Sequence, residues 1–362
     1  MEKINVMQVM PEFGLAGAET MCEALCYELQ KTEQVNITVV SLYNFHSAIT
    51  DRLEQRGINV VYLNKKSGLD LSLVGKLAKL MKQLKIQIVH THRYVMQYAI
   101  PAAVIAGVPG RVHTVHSVAT KEVEAGRRKL AKLFYRFNHV IPVAISPKVQ
   151  QTIVEEYNLP ATKIPVVYNG SDLSKCLPKA DYAVSGSFRF LHIGRLIPVK
   201  NQALILQAVK VLKNRGLDIR ADFVGGGEKE DEYRALVQTL GLENVVTFHG
   251  LKANVHPYLY QADCFLLPSV YEGMPVTLIE AMGTGLPIVA SWVGGIPDMI
   301  EHEVSGLLIK PELEELVSTM ERIIADGKLR TRIGEAAKDR AEKFSASNMC
   351  KGYMEVYQGC LR

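Results

Sequence analysis

The sequence predicts an α/β protein made of two doubly wound domains, and three observations predict it. Short apolar runs alternate with amphipathic stretches along the whole chain, the pattern of a parallel sheet with helices on both faces. The series starts twice, at Ile4 and again at Phe188, and each start is a strand-like run leading into a glycine turn (Gly14 to Gly17, then Gly194). Between the two series the chain loosens through Pro178, Ser185 and Gly186, residue types that punctuate rather than extend regular structure. At 362 residues, 48% of them apolar, the chain has material for two cores of ordinary size.

In chain order, the first series places strands at Ile4–Met10, Val35–Leu42, Asn59–Leu63, Ile86–His90, Val112–Val115, Val143–Ile145 and Ile164–Tyr168. Its clearest helices are Ala18–Gln30 and Ser72–Leu84. In the second of these, Leu73, Leu77, Leu80 and Leu84 recur at helical spacing and form one apolar face. The second series places strands at Phe188–Ile193, Ala221–Val224, Val245–Phe248, Cys264–Pro268, Pro287–Ala290 and Gly306–Ile309. Ser345 to Arg362 reads as a closing helix. The expected division is 1–172, 173–344 and a terminal helix over 345–362. Ligands of such domains are expected at the carboxyl ends of the strands, in a cleft.

Composition narrows the function. A formal charge of +5 does not point to nucleic acid; it fits an anionic substrate or an anionic membrane surface. The six cysteines are scattered without a Cys-x-x-Cys pair or a zinc-type cluster, which argues for a reducing compartment and against a structural metal. Cys22 and Cys26 share a helix face and read as core packing. No apolar run approaches the ~18 residues of a membrane span; the most apolar, Ala99 to Gly110, is short and carries Pro101 and Pro109. The run Ile4–Met10 reads as a strand rather than a signal sequence. The expected setting is the cytoplasm, including the inner face of the membrane.

The most informative segment is Tyr271-Glu-Gly-Met-Pro-Val-Thr-Leu-Ile-Glu280. Glu272 lies in a Gly/Pro turn and Glu280 follows about two helical turns later. Pro275 suits the first helical position, having no amide proton to leave unpaired. A helix starting there offers the amides of Val276, Thr277 and Leu278 to an anion. Leu267-Pro-Ser269 before the segment and Gly283-Thr-Gly-Leu-Pro287 after it complete a strand–turn–helix–turn–strand unit. Two acids flanking an anion-binding helix end suit a sugar nucleotide, with its hydroxylated ring, diphosphate and ribose diol. The plainer alternative is a helix cap and a solvated acid.

Other groups gain meaning beside it. Gly194-Arg195 and Lys200 follow the first strand of the second series; a forked guanidinium and a point charge there can clamp a diphosphate. Gly17, in Gly14-Leu-Ala-Gly17-Ala-Glu19, lets the backbone approach a phosphate with a helix N-terminus behind it. Neither this turn nor Gly225-Gly-Gly227 has the Gly-x-Gly-x-x-Gly spacing of a dinucleotide site. His90, His92, His113 and His116 cluster around two strands, and alternation puts His113 on the face opposite His116. They read equally as satisfied core residues or as a functional group. No Asp-x-Asp pair stands ready to hold a diphosphate through magnesium. Lys76, Lys79, Lys82 and Lys85, and the stretch Arg127 to Arg136, are solvated helix faces or a docking surface for an anionic bilayer.

Over nearly its whole length the sequence resembles glycosyltransferase family 4, retaining enzymes of the GT-B fold, in which two Rossmann-like domains face a central cleft. The residues that carry the resemblance are Ala16-Gly-Ala-Glu19, Val89-His-Thr-His92, Thr114-Val-His116, Val143-Ala-Ile-Ser146, Tyr168-Asn-Gly-Ser-Asp172, Gly194-Arg-Leu with Lys200, Glu272 to Glu280, and Val293-Gly-Gly-Ile-Pro297. Ala16 stands where a second glycine is common. Met274 stands where an aromatic residue is common, in the sugar pocket. The resemblance implies a role for each matched residue. Glu280 would hold the ribose hydroxyls and Glu272 would contact the transferred sugar. Arg195 and Lys200 would bind the diphosphate, with Gly17 close to the distal phosphate. His116 would sit beside the reactive side of the sugar, so Glu272 and His116 are the candidate catalytic residues. Met274, Pro275, Val276 and Thr277 would line the donor site. The closing helix would cross back onto the first domain. The implied reaction moves a hexose-type sugar, often from a UDP-linked donor and without a required cofactor or metal, to a glycan or lipid-linked acceptor. Envelope, capsule or exopolysaccharide synthesis is the implied setting. Two rival functions are a nucleotide-sugar epimerase, which would convert donor with no acceptor present, and a non-catalytic subunit that only binds nucleotide sugar.

Overall fold

Residues 3–362 are described by a computed structural model, in which the apolar runs become parallel strands of two separate sheets. One unit comprises the chain up to Ser171 together with Ala346–Arg362; the other is Asp172–Ser345.

The first unit contains β1 (Ile4–Met10), β2 (Val35–Ser41), β3 (Asn59–Tyr62), β4 (Ile88–His92), β5 (Gly110–Val115) and β6 (Ile141–Ala144), ordered β3-β2-β1-β4-β5-β6 and parallel at every pairing. Helices cover both faces, so the central strands are buried on both sides, yet they carry the buried polar side chains Gln8, His90, Thr91, His92, His113 and Thr114. On one face Met7, Val9 and Val89 pack under Leu73, Leu77, Met81, Tyr98 and Ala102. On the other, Met10 and Val39 pack with Cys22, Cys26, Tyr27 and Leu53. Cys22 and Cys26 are thus core residues, and the hydrogen bond with Cys26 together with burial pushes the Cys22 thiol well up.

The second unit contains β7 (Phe188–Ile193), β8 (Ile219–Val224), β9 (Val246–Phe248), β10 (Cys264–Leu267), β11 (Ile288–Ser291) and β12 (Leu307–Ile309), ordered β12-β11-β10-β7-β8-β9. All pairings are again parallel. Phe190, Phe223, Leu266 and Val289 anchor its core. Both sheets reverse their strand order beside their first strand, between β1 and β4 and between β7 and β10. The carboxyl ends at such a reversal leave the crevice in which open α/β sheets bind ligands.

Several strands start or end a residue or two from their expected bounds, and two differences have a clear cause. Ile164–Tyr168 forms no strand: Val166 makes a single bridge to Ala144. Pro165 interrupts the run, and proline donates nothing to a ladder. β4 begins at Ile88, two residues later than expected, because Lys85 and Ile86 close the preceding helix. Ile86 N–H donates to Met81 O at 2.9 Å and Lys85 N–H to Lys82 O at 3.2 Å, with Lys85 at φ +48°. This is the paired-carbonyl helix ending of a left-handed C-cap. His92 therefore belongs to the last position of β4 rather than to the turn after it. Among the described residues, no helix is long and apolar enough to cross a membrane.

Candidate active site

In the second unit, the expected site residues gather at the β7/β10 reversal. β7 ends at Ile193 and the chain turns through Gly194 and Arg195 to Lys200. β10 ends at Leu267 and turns through Ser269 to Glu272. The turns are tied together: Val270 N–H donates to Val199 O at 2.8 Å, and Asn201 Nδ2 donates to Pro268 O at 3.2 Å. Lys200 Nζ lies 2.6 Å from Glu272 Oε1, and Ser269 Oγ donates to the same oxygen at 2.6 Å. The Glu272 side chain is 9% exposed and that of Lys200 16%, so this ion pair is largely withdrawn from water. Lys200, expected to help clamp a diphosphate, has its ammonium engaged by Glu272. Arg195 is exposed.

The Gly294 turn closes over Glu272. Gly294 has φ +55°, and a Cβ there would lie 1.8 Å from the Glu272 carbonyl oxygen; only glycine suits both the left-handed backbone and the approach. Gly225 plays the matching part behind β7. Its φ is +137° and a Cβ would lie 2.1 Å from Gly194 O, so the triple glycine packs the Arg195 turn.

The helix Val276–Gly283 starts one residue later than expected. Pro275 precedes it with ψ 122°, in the cap position, and no side chain caps it. Leu278 N–H donates back to Pro275 O at 3.1 Å, so Leu278 is not one of the amides offered to a ligand; Val276 and Thr277 stand at the uncapped end. Thr277 Oγ1 reaches Ile193 O at 3.5 Å, which sets the helix start against the end of β7. Met274, Val276 and Glu280 are buried. An exposed guanidinium two residues past the strand end that the uncapped helix start touches is an arrangement suited to an anion.

His192 and Gln202 belong to this region and were not anticipated. His192 Nδ1 donates to Leu266 O at 2.9 Å, leaving Nε2 to accept from Gln202 Nε2 at 3.1 Å. The same Gln202 nitrogen donates to Arg195 O at 2.8 Å. Burial lowers the His192 pKa to about 4, so the ring is a neutral brace for the Arg195 turn.

In the first unit, Gly17 starts the helix Gly17–Lys31 with Ala16 extended before it and no side-chain cap. Glu19 is buried and accepts from Arg93 Nη1 at 2.6 Å. Arg93 follows β4 directly with φ +57°, so the pair pins the glycine turn to the end of β4. On one face of β4 and β5, His92 Nδ1 lies 2.9 Å from His116 Nε2 and His92 Nε2 2.9 Å from Gln8 Oε1. His113 lies on the opposite face, bonded to Thr91 Oγ1 at 2.9 Å. Burial pushes His116 and His113 down to about 3 and His90 and His92 well below the usual histidine range. Burial pushes the other way on Glu122, which lines a hollow with Arg93, Tyr94, Arg127 and Tyr157: its carboxyl is raised to about 7.

The two basic stretches separate. Lys76, Lys79, Lys82 and Lys85 are exposed. In the other, Arg128 is tied to Glu156 at 2.9 Å and to the carbonyls of Thr120 and Val123, and Arg127 lies 4.8 Å over the Tyr94 ring. Those two arginines brace the fold. Among the described residues, no group of three or more His, Cys, Asp or Glu side chains is arranged to hold a metal ion.

Comparison with known proteins identifies similar chains. The sequence model described as "Glycosyltransferase Family 4" matches residues 15–175, and that of "Glycosyl transferases group 1" matches residues 179–340. The chain is 30% identical over 349 residues to the UDP-Gal:alpha-D-GlcNAc-diphosphoundecaprenol alpha-1,3-galactosyltransferase of Escherichia coli, spanning 90% of this chain and 88% of that protein. It is 27% identical over 312 residues to the N-acetyl-alpha-D-glucosaminyl L-malate synthase of Bacillus anthracis, spanning 81% and 80%. Among solved structures, Anabaena Alr3699/HepE in complex with UDP-glucose shares the fold with a TM-score of 0.86 at 23% identity, over 98% of this chain and 100% of that one.

Proposed function

Because the chain belongs to glycosyltransferase family 4 and has the GT-B fold, we propose that it moves a hexose-type sugar from a UDP-linked donor to an acceptor hydroxyl, with retention of anomeric configuration. The observation that carries this reading is the second-unit site: the Lys200–Glu272–Ser269 cluster beside an exposed Arg195 and the uncapped start of the helix that bears Glu280. Glu280 takes the ribose hydroxyls, Arg195 and the amides of Val276 and Thr277 take the diphosphate, and Glu272 takes a hydroxyl of the transferred sugar. Lys200 fixes the Glu272 carboxylate and adds positive charge to the same turn. Met274 and Pro275 shape the sugar side of this site. The name of the E. coli relative, which specifies a UDP-linked sugar and a lipid-diphosphate acceptor, supports a uridine donor and a glycan or lipid-linked acceptor of envelope or exopolysaccharide synthesis.

In the reaction, the bond from the anomeric carbon to the diphosphate oxygen breaks and the diphosphate gains negative charge. Donors already aimed at that charge stabilise it as it develops; removal of one such donor costs about 2.7–4 kcal/mol in comparable sites. The leaving phosphate takes the proton of the acceptor hydroxyl on the face it departs from, which retains the configuration. Gly17 and His116 serve the same reaction from the first unit, Gly17 toward the distal phosphate and His116 toward the sugar. The four exposed lysines from Lys76 to Lys85 hold this unit on anionic lipid, at the inner membrane face.

The test incubates UDP-linked hexoses with and without an acceptor extract and follows the products by NMR. The reading expects a new glycosidic bond only when acceptor is present, with the donor's anomeric configuration. Conversion of one sugar nucleotide into another without acceptor would overturn it in favour of an epimerase, and UDP binding with no turnover in favour of a non-catalytic subunit.

A further inference from the structure

We propose that Tyr357 and Gln8 are positioning residues that decide which ring nitrogen of His116 carries its proton, an inference that rests on the reading of His116 as a residue serving the transferred sugar. The helix Ala346–Cys360 brings Tyr353 and Tyr357 into the first unit, where both are buried. Parallel register sets Gln8 of β1 beside His90 of β4 and His92 beside Thr114 of β5. The two-residue period of a strand then puts Gln8, His90, His92, Thr114 and His116 on one face, under that helix.

Hydrogen bonds join them into a single chain. Gln8 Nε2 donates to Tyr357 Oη at 3.0 Å. Tyr357 Oη lies 2.7 Å from His90 Nδ1, His90 Nε2 lies 2.7 Å from Thr114 Oγ1, and Thr114 Oγ1 lies 2.7 Å from Tyr353 Oη. In the other direction Gln8 Oε1 faces His92 Nε2, and His92 Nδ1 faces His116 Nε2, each at 2.9 Å. Burial keeps all three histidines neutral, so each ring has one N–H and one lone pair. A carbonyl only accepts, so His92 must donate from Nε2. Its Nδ1 is then a lone pair, and the donor facing it is His116 Nε2–H. The remaining His116 nitrogen, Nδ1, is left bare. That Nδ1 is buried and has no hydrogen-bond partner, the one open end of an otherwise paired chain.

The result is a ring whose open nitrogen is an acceptor rather than an N–H. The orientation of the Gln8 amide sets it, and Tyr357 holds that orientation: with its hydroxyl proton given to His90 Nδ1, its oxygen can only accept from the Gln8 amide nitrogen. With Tyr357→Phe the amide loses its acceptor and is free to turn. An inverted amide would donate to His92 Nε2, move the His92 proton to Nδ1 and force the His116 proton onto Nδ1 as well. A residue of the terminal helix thereby controls a group it does not touch.

The experiment labels histidine nitrogens in the full-length protein and reads ring protonation from two-bond proton–nitrogen correlations, with His116→Gln to assign the signal. The wild type is expected to show His116 protonated at Nε2 and bare at Nδ1. Tyr357→Phe and Gln8→Met are each expected to shift His116 toward the Nδ1-protonated form. They should also lower kcat by about tenfold, within the worth of one net hydrogen bond. A wild-type His116 protonated at Nδ1 overturns the proposal and needs no variant to fold; so does an unchanged tautomer in both variants. Full transfer by His116→Ala would instead overturn the role given to His116 while leaving the tautomer result standing, so the two failures are distinct.

Discussion

Replacing Lys200 with methionine tests the second-unit site most sharply, because it removes a charge and little else. Methionine keeps the unbranched apolar stem, while Glu272, 9% exposed at its side chain, loses the ammonium 2.6 Å away. Ser269 Oγ remains as its donor. Breaking a buried pair from one side typically costs 3–5 kcal/mol, and the remaining hydroxyl puts this case at the low end, about 3 kcal/mol. For a unit of this size, 1 kcal/mol corresponds to about 2–4 °C in Tm, so the transition of the second unit is expected to fall by about 6–12 °C. Adding Glu272→Gln to Lys200→Met removes the stranded carboxylate and should recover at least half of the shift. Differential scanning calorimetry of the wild type, both single variants and the double variant completes the cycle. A fall below about 2 °C, or no recovery in the double variant, would refute the claim that these side chains form a mutually dependent buried pair.

Two further predictions rest mainly on the first unit. Acid should destabilise the apo protein through His90, His92, His113 and His116, and through His192 in the second unit. Their folded pKa values lie below the unfolded value of about 6.5, so their contribution is full above pH 6.5 and is lost as pH falls toward about 3. Within that window each costs up to ~1.4 kcal/mol per pH unit. Glu122, raised to about 7, acts oppositely, gaining on acidification from pH 7 to its unfolded value. The histidines outnumber it, so a Tm that rises between pH 6.5 and 5 would contradict this balance; His92→Gln should flatten the slope. Separately, Lys79→Gln with Lys82→Gln should weaken sedimentation with phosphatidylserine vesicles about thirtyfold, at roughly 1 kcal/mol per lysine. Equal binding of the wild-type protein to neutral vesicles would count against membrane docking.

Much of this was legible because the governing signals are local. β1 and β7 occupy the residues expected of them, since a strand's apolar run and the glycine after it are adjacent in sequence. The side of the sheet taken by His113 followed from alternation alone. What the sequence did not reveal depends on register and on distant contacts. Gln8 is a polar side chain in the middle of the apolar run Val6–Met10, a visible signal, but its partner Tyr357 lies 349 positions away. Gln202 and His192 are joined only because the turn after β7 folds back on itself. Ser269 was noticed as the end of a strand, not as the donor that helps hold Glu272. The triple glycine at Gly225 lacked the spacing of a known fingerprint, and its reason is a backbone approach to Gly194 that no local pattern encodes. Lys200 and Arg195 read together as a clamp for a diphosphate. Only the geometry separates one paired with a carboxylate from one that is exposed.

The central claim is that Arg195 and the uncapped helix start at Val276 receive the diphosphate while Glu280 holds the ribose. Titration calorimetry of UDP and of uridine against the wild type, Arg195→Ala and Glu280→Ala measures it directly. The account predicts that Arg195→Ala weakens UDP binding and leaves uridine binding unchanged, whereas Glu280→Ala weakens both. Equal loss of UDP and uridine in Arg195→Ala, or UDP binding that neither variant alters, would contradict it.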